Sequence, residues 1–339
     1  MDLPQVSVLL PAYNAEATLP GALDSLLRQQ GVDFEVVAVD DGSVDGTAAI
    51  LAEHAARDSR IRPLALKHGG IVQALNAGLA QCRGEYVARM DADDVCLPDR
   101  LLLQAGRLAA GPDLGLVAGR VEFSGDRETA GGYARYVDWT NTLLSHEDIS
   151  LGRFRESPFA HPSVMFRKKP VLDLGGYRDG DFPEDYELWL RMLENGVRMA
   201  KLPDTVLQWS DAPDRLSRTD SRYGMDNFYS IKARYLAVWL AKNNPLHPDV
   251  TIIGSGRVSR KRAELLCGHG IRISTYVDID PRKIGHTIHG RPVIHRRDMP
   301  PPSECFAVSY VASHGADQDI AAFLTERGYI QGKNFILAA

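Results

Sequence analysis

Tyr86-Val87-Ala88-Arg89-Met90-Asp91-Ala92-Asp93-Asp94 is a short apolar run that ends abruptly in three carboxylates. Such a run marks the edge of an open α/β sheet, where ligands bind outside the carboxyl ends of the strands. Asp91 and Asp93 are two residues apart, so a continued strand would point both the same way. Like charges side by side repel unless a cation or polar partner lies between them. One reading is a divalent metal holding a phosphate-bearing substrate, because hard carboxylate oxygens suit Mg2+ or Mn2+. The other is an Asp-rich turn capping a helix that begins near Pro98. The stretch alone leaves both open.

Upstream, residues 6–10 form an apolar, β-branched run closed by Pro11, which predicts a buried parallel strand. Residues 18–30 carry Leu19, Leu23, Leu26 and Leu27 at helical spacing, with Gly31 as the stop. Residues 34–39 predict a second strand, ended by the turn signal Asp40-Asp41-Gly42-Ser43. A helix from Asp45, a third strand over 61–66 and a helix opened by Gly69-Gly70 follow before the fourth strand at Tyr86. Strict β/α alternation predicts a doubly wound, mostly parallel sheet. Right-handed crossovers then bring the strand ends to one edge. Residues 11–13, 40–41 and 91–93 meet there, which favours a shared ligand site over three separate turns.

Downstream, the pattern predicts a helix over 98–110 and strands over 114–118 and 163–167. Residues 120–156 fit no single periodicity. Gly175-Gly176-Tyr177 reads as a turn, 185–195 as a helix closed by Gly196, 198–202 and 205–209 as two strands, and 226–241 as an amphipathic helix. Asn243-Asn244-Pro245 breaks that helix and is the expected domain boundary, separating residues 1–242 from 246–339. The second part restarts as βαβ: a strand over 250–253, Gly254-Ser255-Gly256, a helix to Cys267, and a strand over 273–277 ending in Asp278. A smaller Rossmann-like domain is the expectation. At 339 residues the chain is long enough for two cores.

Net charge is −5, so no general basic field draws the protein to nucleic acid. The four scattered cysteines show no metal-ligand spacing and predict reduced thiols in a cytoplasm. No leader or apolar run of spanning length is read in the sequence. Peripheral contact with the inner face of a membrane stays open, as does oligomerisation.

Several motifs carry a family likeness together: residues 6–14 (Val-Ser-Val-Leu-Leu-Pro-Ala-Tyr-Asn), Asp40-Asp41-Gly42-Ser43, Asn76-Ala77-Gly78, Gly84-Glu85-Tyr86, Asp91-Ala92-Asp93-Asp94 and Pro183-Glu184-Asp185-Tyr186-Glu187-Leu188-Trp189. In this order and spacing, the first 220 or so residues resemble the family 2 glycosyltransferases, inverting enzymes of the GT-A fold. The resemblance implies a nucleotide-sugar donor, UDP- or dTDP-linked, a glycan or lipid-linked saccharide acceptor, and Mn2+ or Mg2+. It places Pro11 and Tyr13 against the nucleobase and Asp40 as an acceptor for a pyrimidine N–H. Asp41 and Asn76 fall on the donor side, Asp91 at the ribose or nucleotide, and Asp93 on the metal. Asp185 becomes the general base taking the acceptor's proton, with Glu184 as helper or acceptor contact.

His161 and Trp189 are acceptor-side candidates, although His161 is equally readable as structural and Trp189, on the face of Asp185 one turn on, as core. Two departures from the family stand out. Leu75 occupies the place before Asn76 where many relatives carry Arg. The loop after Trp209 reads Ser210-Asp211-Ala212-Pro213-Asp214-Arg215-Leu216-Ser217-Arg218, where Arg215 and Arg218 are left to grip a diphosphate.

In the second part, Gly254-x-Gly256-x-x-Ser259 with Asp278 is a dinucleotide fingerprint lacking its third glycine. With Tyr276-Val277-Asp278-Ile279-Asp280 and Gly290-Arg291-Pro292-Val293, it resembles the small Rossmann-like domain that precedes the catalytic part of bacterial sugar acyltransferases. That likeness implies contact with a nucleotide sugar; a packing or oligomerisation module without ligand is the alternative. Two rival readings concern the whole protein. A sugar nucleotidyltransferase would need a Gly-rich loop with Arg and Lys where Pro11-Ala12-Tyr13-Asn14 stands. Against a non-catalytic sugar-nucleotide-binding protein stand the intact Asp93 and Asp185.

Overall fold

The computed structural model describes residues 3–211, 215–313 and 315–339. Contacts divide the chain into two compact units: Met1–Ile149 with Pro158–Ser221, and Ser150–Ser157 with Arg222–Ala339.

The first unit is built on an eight-stranded sheet. Its strands are β1 (Val6–Ala12), β2 (Phe34–Asp40), β3 (Ile61–Ala65), β4 (Tyr86–Arg89), β5 (Val95–Cys96), β6 (Leu114–Ser124), β7 (Val164–Arg167) and β8 (Arg198–Ser210). They lie in the order β3-β2-β1-β4-β7-β6-β8-β5. The pairings among β1 to β4 are parallel, as the alternation requires. Every residue of β1 and β2 is buried, the mark of parallel strands covered on both faces. Side chains alternate between two cores: Val8, Leu10, Val36 and Ala38 enter one, Leu9, Val37, Val39 and Val87 the other.

The far half of the sheet is mixed. β7 runs antiparallel to both β4 and β6, and β5 antiparallel to β8. The two strands expected over 198–209 are one strand, β8. Its register against β6 jumps from Lys201 opposite Ala118 to Thr205 opposite Arg120, so residues 202–204 are absorbed as a bend. The unassigned stretch holds the outer half of β6 and the helices Gly131–Thr140 and His146–Gly152.

The second unit has a six-stranded sheet ordered β11-β12-β10-β9-β13-β14. Its strands are β9 (Asp249–Ile253), β10 (Arg272–Asp278), β11 (Thr287–Ile288), β12 (Arg291–His295), β13 (Ala307–Ser309) and β14 (Phe335–Leu337). All pairings are parallel except that of β11. The helix Met225–Asn243 packs within this unit: Trp239 meets Phe306 and Phe154, Tyr229 meets Tyr310, and Lys232 Nζ donates to the Ala338 carbonyl at 2.9 Å. The boundary expected at Asn243 falls after this helix, whereas the contacts divide the chain before it. The helix has buried residues from Phe228 to Leu240 and needs apolar partners, which this sheet supplies. Residues 150–157 also belong here, with Arg155 paired to Asp317 at 2.8 Å.

Asp278 at the end of β10 is saturated. Its Oδ2 accepts from Ser255 N and Oγ and from Lys283 Nζ, and its Oδ1 from the N–H groups of Ile279 and Asp280. Among the described residues, no helix is long and apolar enough to cross a membrane.

Candidate active site

The carboxyl ends of β1, β2 and β4 form one edge. Ala12 is in register with Asp40 and Leu9 with Arg89, while Asp41 N donates to the Ala12 carbonyl and Met90 N to that of Leu9. Tyr13, Asp41 and Asp91 therefore leave neighbouring strands side by side. Tyr13 is half exposed and stacks on His68, with centroids 4.2 Å apart. Asp40 Oδ1 receives the Ser43 N–H at 2.9 Å.

Three of the donor-side candidates are structural in their observed contacts. Pro11 lies inside β1 opposite Val39. Asp41 gives its two oxygens to the N–H groups of Gly69 and Gly70, and it also meets His68 Nδ1 at 3.0 Å. Asn76 clamps a backbone: its amide donates to the Tyr177 carbonyl at 2.8 Å and its oxygen accepts from Tyr177 N at 2.9 Å. The approach is so close that a Cβ on Gly176, which has φ of +68°, would lie 2.6 Å from Asn76 Oδ1.

Beyond β4, carboxylate oxygens of Asp91, Asp93 and Asp94 lie within 4.8 Å of one another. Burial, then the charge of Asp91, pushes Asp93 up to about 6, with Arg215 pulling the other way. Burial and both neighbouring acids raise Asp94 well above its ordinary value. Asp94 Oδ1 accepts from Ser210 N at 2.8 Å, but its buried Oδ2 has no partner among the described residues. A divalent cation fits this set. It would complete the orphaned oxygen and cancel the mutual repulsion, and oxygen-only ligands suit Mg2+ or Mn2+. Asp94 joins Asp93 as a candidate ligand that sequence reasoning left out, although the third acid of the run was visible.

Arg215 lies over the Trp209 ring at 3.9 Å and donates to the Ser210 carbonyl, which leaves its charge within reach of Asp93. Arg218 pairs with Asp211 at 2.8 Å and covers Tyr133. Residues 212–214 of the same loop lie outside the described residues.

The other candidate acids open the helix Glu184–Glu194 behind Pro183. Glu184 is buried, and Asp185 is partly exposed with Oδ1 accepting from Tyr186 N at 2.7 Å. Burial, then Glu184, pushes Asp185 up to about 7, while the charge of Arg89 works against the rise. His161 is buried with Nε2 at 3.0 Å from the Tyr177 hydroxyl and Nδ1 at 4.0 Å from Glu184. Burial and the charge of Arg89 hold it well below its usual pKa, so it is a neutral ring in this network. Trp189 is fully buried, edge-on to Phe159 and His161, and has no face to offer a sugar.

Two residues that the sequence did not single out emerge here. Tyr177 joins Asn76 to His161, and its turn is anchored by Arg191, which donates to the carbonyls of Leu174 and Gly176. Arg89, buried at the end of β4, pairs with Asp91 and acts electrostatically on Asp185, His161 and Tyr177. Its signal was one charge inside an otherwise uncharged buried strand, which needs a partner.

The mixed α/β fold with its curled eight-stranded sheet is that of the GT-A glycosyltransferases. Residues 7–175 match the family model described as Glycosyl transferase family 2. The amylovoran biosynthesis glycosyltransferase AmsE of Erwinia amylovora is 34% identical over 218 residues, spanning 62% of this chain and 78% of its own. The UDP-Gal:alpha-D-GlcNAc-diphosphoundecaprenol beta-1,3-galactosyltransferase of Escherichia coli is 30% identical over 238 residues, spanning 69% and 83%. Among solved structures, S. aureus TarS 1-349 superposes with a TM-score of 0.54 at 21% identity, covering 77% of this chain and 69% of that one. The chain belongs to glycosyl transferase family 2 and is an enzyme of that class.

Proposed function

We propose that the protein is an inverting, divalent-metal-dependent transferase that moves a hexose from a UDP- or dTDP-sugar to a hydroxyl of a glycan or lipid-linked saccharide. The observation that carries this is the acid cluster beyond β4, whose carboxylate oxygens lie within 4.8 Å of one another, together with Asp185, a partly exposed carboxylate at the start of its helix whose pKa burial pushes upward. A general base works best when its pKa lies near the working pH. The substrate classes are those of similar proteins: the E. coli enzyme is a UDP-Gal:alpha-D-GlcNAc-diphosphoundecaprenol galactosyltransferase, and TarS, which shares the fold, has been solved with UDP-GlcNAc. Family membership removes the nucleotidyltransferase and non-catalytic readings.

In this mechanism Tyr13 offers its open ring face to the nucleobase and Asp40 accepts the pyrimidine N–H. Asp91 holds the ribose, while Asp93 and Asp94 would hold the metal. When bound, the metal supplies Lewis-acid neutralisation of charge on the departing diphosphate. Asp185 takes the acceptor's proton on Oδ2, since Oδ1 is engaged by Tyr186 N. The freed oxygen attacks the anomeric carbon opposite the diphosphate, and the bonding pair leaves with the phosphate oxygen. One base and one displacement invert the centre without a covalent intermediate. Glu184 assists at the acceptor.

Residues 150–157 and 222–339 act as an accessory packing unit, because Asp278 already spends its acceptors within its own loop. The enzyme works in the cytoplasm, at the membrane face where lipid-linked acceptors lie.

A thermal-shift screen of UDP, dTDP, GDP and their sugars, with and without Mn2+, tests the donor and metal together. A ligand that binds only the native state raises its stability. Stabilisation by uridine or thymidine nucleotides that requires Mn2+ is the expected result; equal stabilisation in chelator removes the metal from the reading.

A further inference from the structure

Tyr13 has one ring face already taken, and the group that takes it has no part in the mechanism above. The order β3-β2-β1 places three strand ends side by side, with Ala12 in register with Asp40 and Asp40 with Ala65. Tyr13 follows the first strand, Asp41 the second and His68 the third, and His68 touches both of the others. Its ring stacks on that of Tyr13, with centroids 4.2 Å apart and planes 21° from parallel. Its Nδ1 lies 3.0 Å from the Asp41 carbonyl oxygen and 3.0 Å from Asp41 Oδ2. A carbonyl oxygen only accepts, so Nδ1 carries the proton and the plane of the ring is set. Asp41 is itself buried and locked by the N–H groups of Gly69 and Gly70, which follow His68 in the chain. This loop can come so close because residue 42 is glycine: φ there is +73°, and a Cβ would lie 2.5 Å from the His68 backbone nitrogen.

We propose that His68 and Asp41 are positioning residues for the donor's nucleobase: Asp41 fixes the His68 ring, His68 holds one face of Tyr13, and the base stacks on the other face. This rests on the reading of Tyr13 as the nucleobase platform. The side chain of His68 stays 54% exposed, so its anchoring adds little to the core. Its effect falls on Tyr13, a residue 47% exposed whose ring would otherwise turn in water. An unsupported ring loses rotamer freedom when a ligand settles on it, and binding weakens by that amount. Here the freedom is already removed in the free protein. The support concerns the base alone, so a ligand without a base should not sense it.

The test is the affinity of UDP, dTDP and inorganic pyrophosphate, each with Mn2+, measured by calorimetry. Wild type, His68→Ala, Tyr13→Ala, the double variant and His68→Phe are compared, each checked for cooperative melting. His68→Ala is expected to weaken the nucleotides by about 3- to 10-fold, the worth of one pre-ordered side chain, and to leave pyrophosphate unchanged. Because His68 acts through Tyr13, the double variant should bind nucleotide no more weakly than Tyr13→Ala alone. Additive losses would make His68 a separate ligand contact and overturn the positioning role. A loss shared equally by pyrophosphate would make it a general support of the fold and overturn the role as well. His68→Phe keeps a ring but not the bond to Asp41 and should fall between wild type and His68→Ala; wild-type affinity there would remove Asp41 from the inference. If His68→Ala does not fold, His68→Asn, which keeps a donor for Asp41 without a ring, takes its place with the same expected loss. If Tyr13→Ala loses the nucleotides while His68→Ala binds them normally, the inference falls and the platform stands. If Tyr13→Ala binds them as wild type does, the platform falls and takes this inference with it.

Discussion

Asp93→Asn is expected to stabilise the metal-free protein while ending transfer. Three carboxylates crowd within 4.8 Å, and burial plus the charge of Asp91 lifts Asp93 from its ordinary 3.8 to about 6. Each unit of such a shift corresponds to about 1.4 kcal/mol, so ionised Asp93 costs folding on the order of 3 kcal/mol at neutral pH. The sign follows from the direction. A carboxylate whose folded pKa is raised leaves stability untouched below its unfolded pKa, where both states hold the proton. Stability then falls as pH climbs from about 4 to about 6 and stays flat above that.

The amide carries no charge and escapes the loss. Melting curves of wild type and variant in chelator should therefore coincide near pH 4 and separate by about 6–12 °C at pH 7, given the usual 2–4 °C per kcal/mol for a folding unit of about 150–250 residues. Excess Mn2+ should reverse the order, because only the wild type gains binding energy. If the variant melted below wild type in chelator at pH 7, the picture of a repulsive pocket waiting for a cation would be wrong.

Three further outcomes are expected. Asp185→Asn should lower kcat by about 10² to 10⁴, the usual value of a general base, with the donor dissociation constant by calorimetry little changed and Glu184→Gln costing less. Asn76→Ala removes both bonds to the Tyr177 backbone and should cost about 1–3 kcal/mol in urea unfolding; an unchanged UDP affinity would fit its structural placement, and a large loss would return Asn76 to the donor site. A chain ended after Asn243 loses Phe306, Tyr310 and Ala338, which cover the helix Met225–Asn243. It should aggregate on size exclusion, whereas one ended after Ser221, which leaves only the 150–157 segment uncovered, should aggregate less.

The first four strands and their common edge were readable because each is a buried run closed by turn residues, a local signal. The acid cluster and Glu184-Asp185 were readable for the same reason: charges at the starts and ends of elements stand out against apolar runs. What escaped depends on partners far along the chain. Tyr177 becomes a hub only through Asn76, 101 residues away. The single strand β8 reads as two because its bend at Pro203 and Asp204 breaks the alternation. Trp189 sat on the face of Asp185 by helical spacing, but spacing cannot say whether that face meets ligand or core; Phe159 and His161 close it off.

The second unit borrows residues 150–157 from the middle of the chain, and this bears on its synthesis. Arg155 leaves the ribosome long before Asp317, the acid it pairs with. At about 5–20 residues per second, the segment waits many seconds with Phe154 uncovered, until Trp239 emerges. The second unit therefore cannot complete its packing around residues 150–157 until Asp317 has emerged.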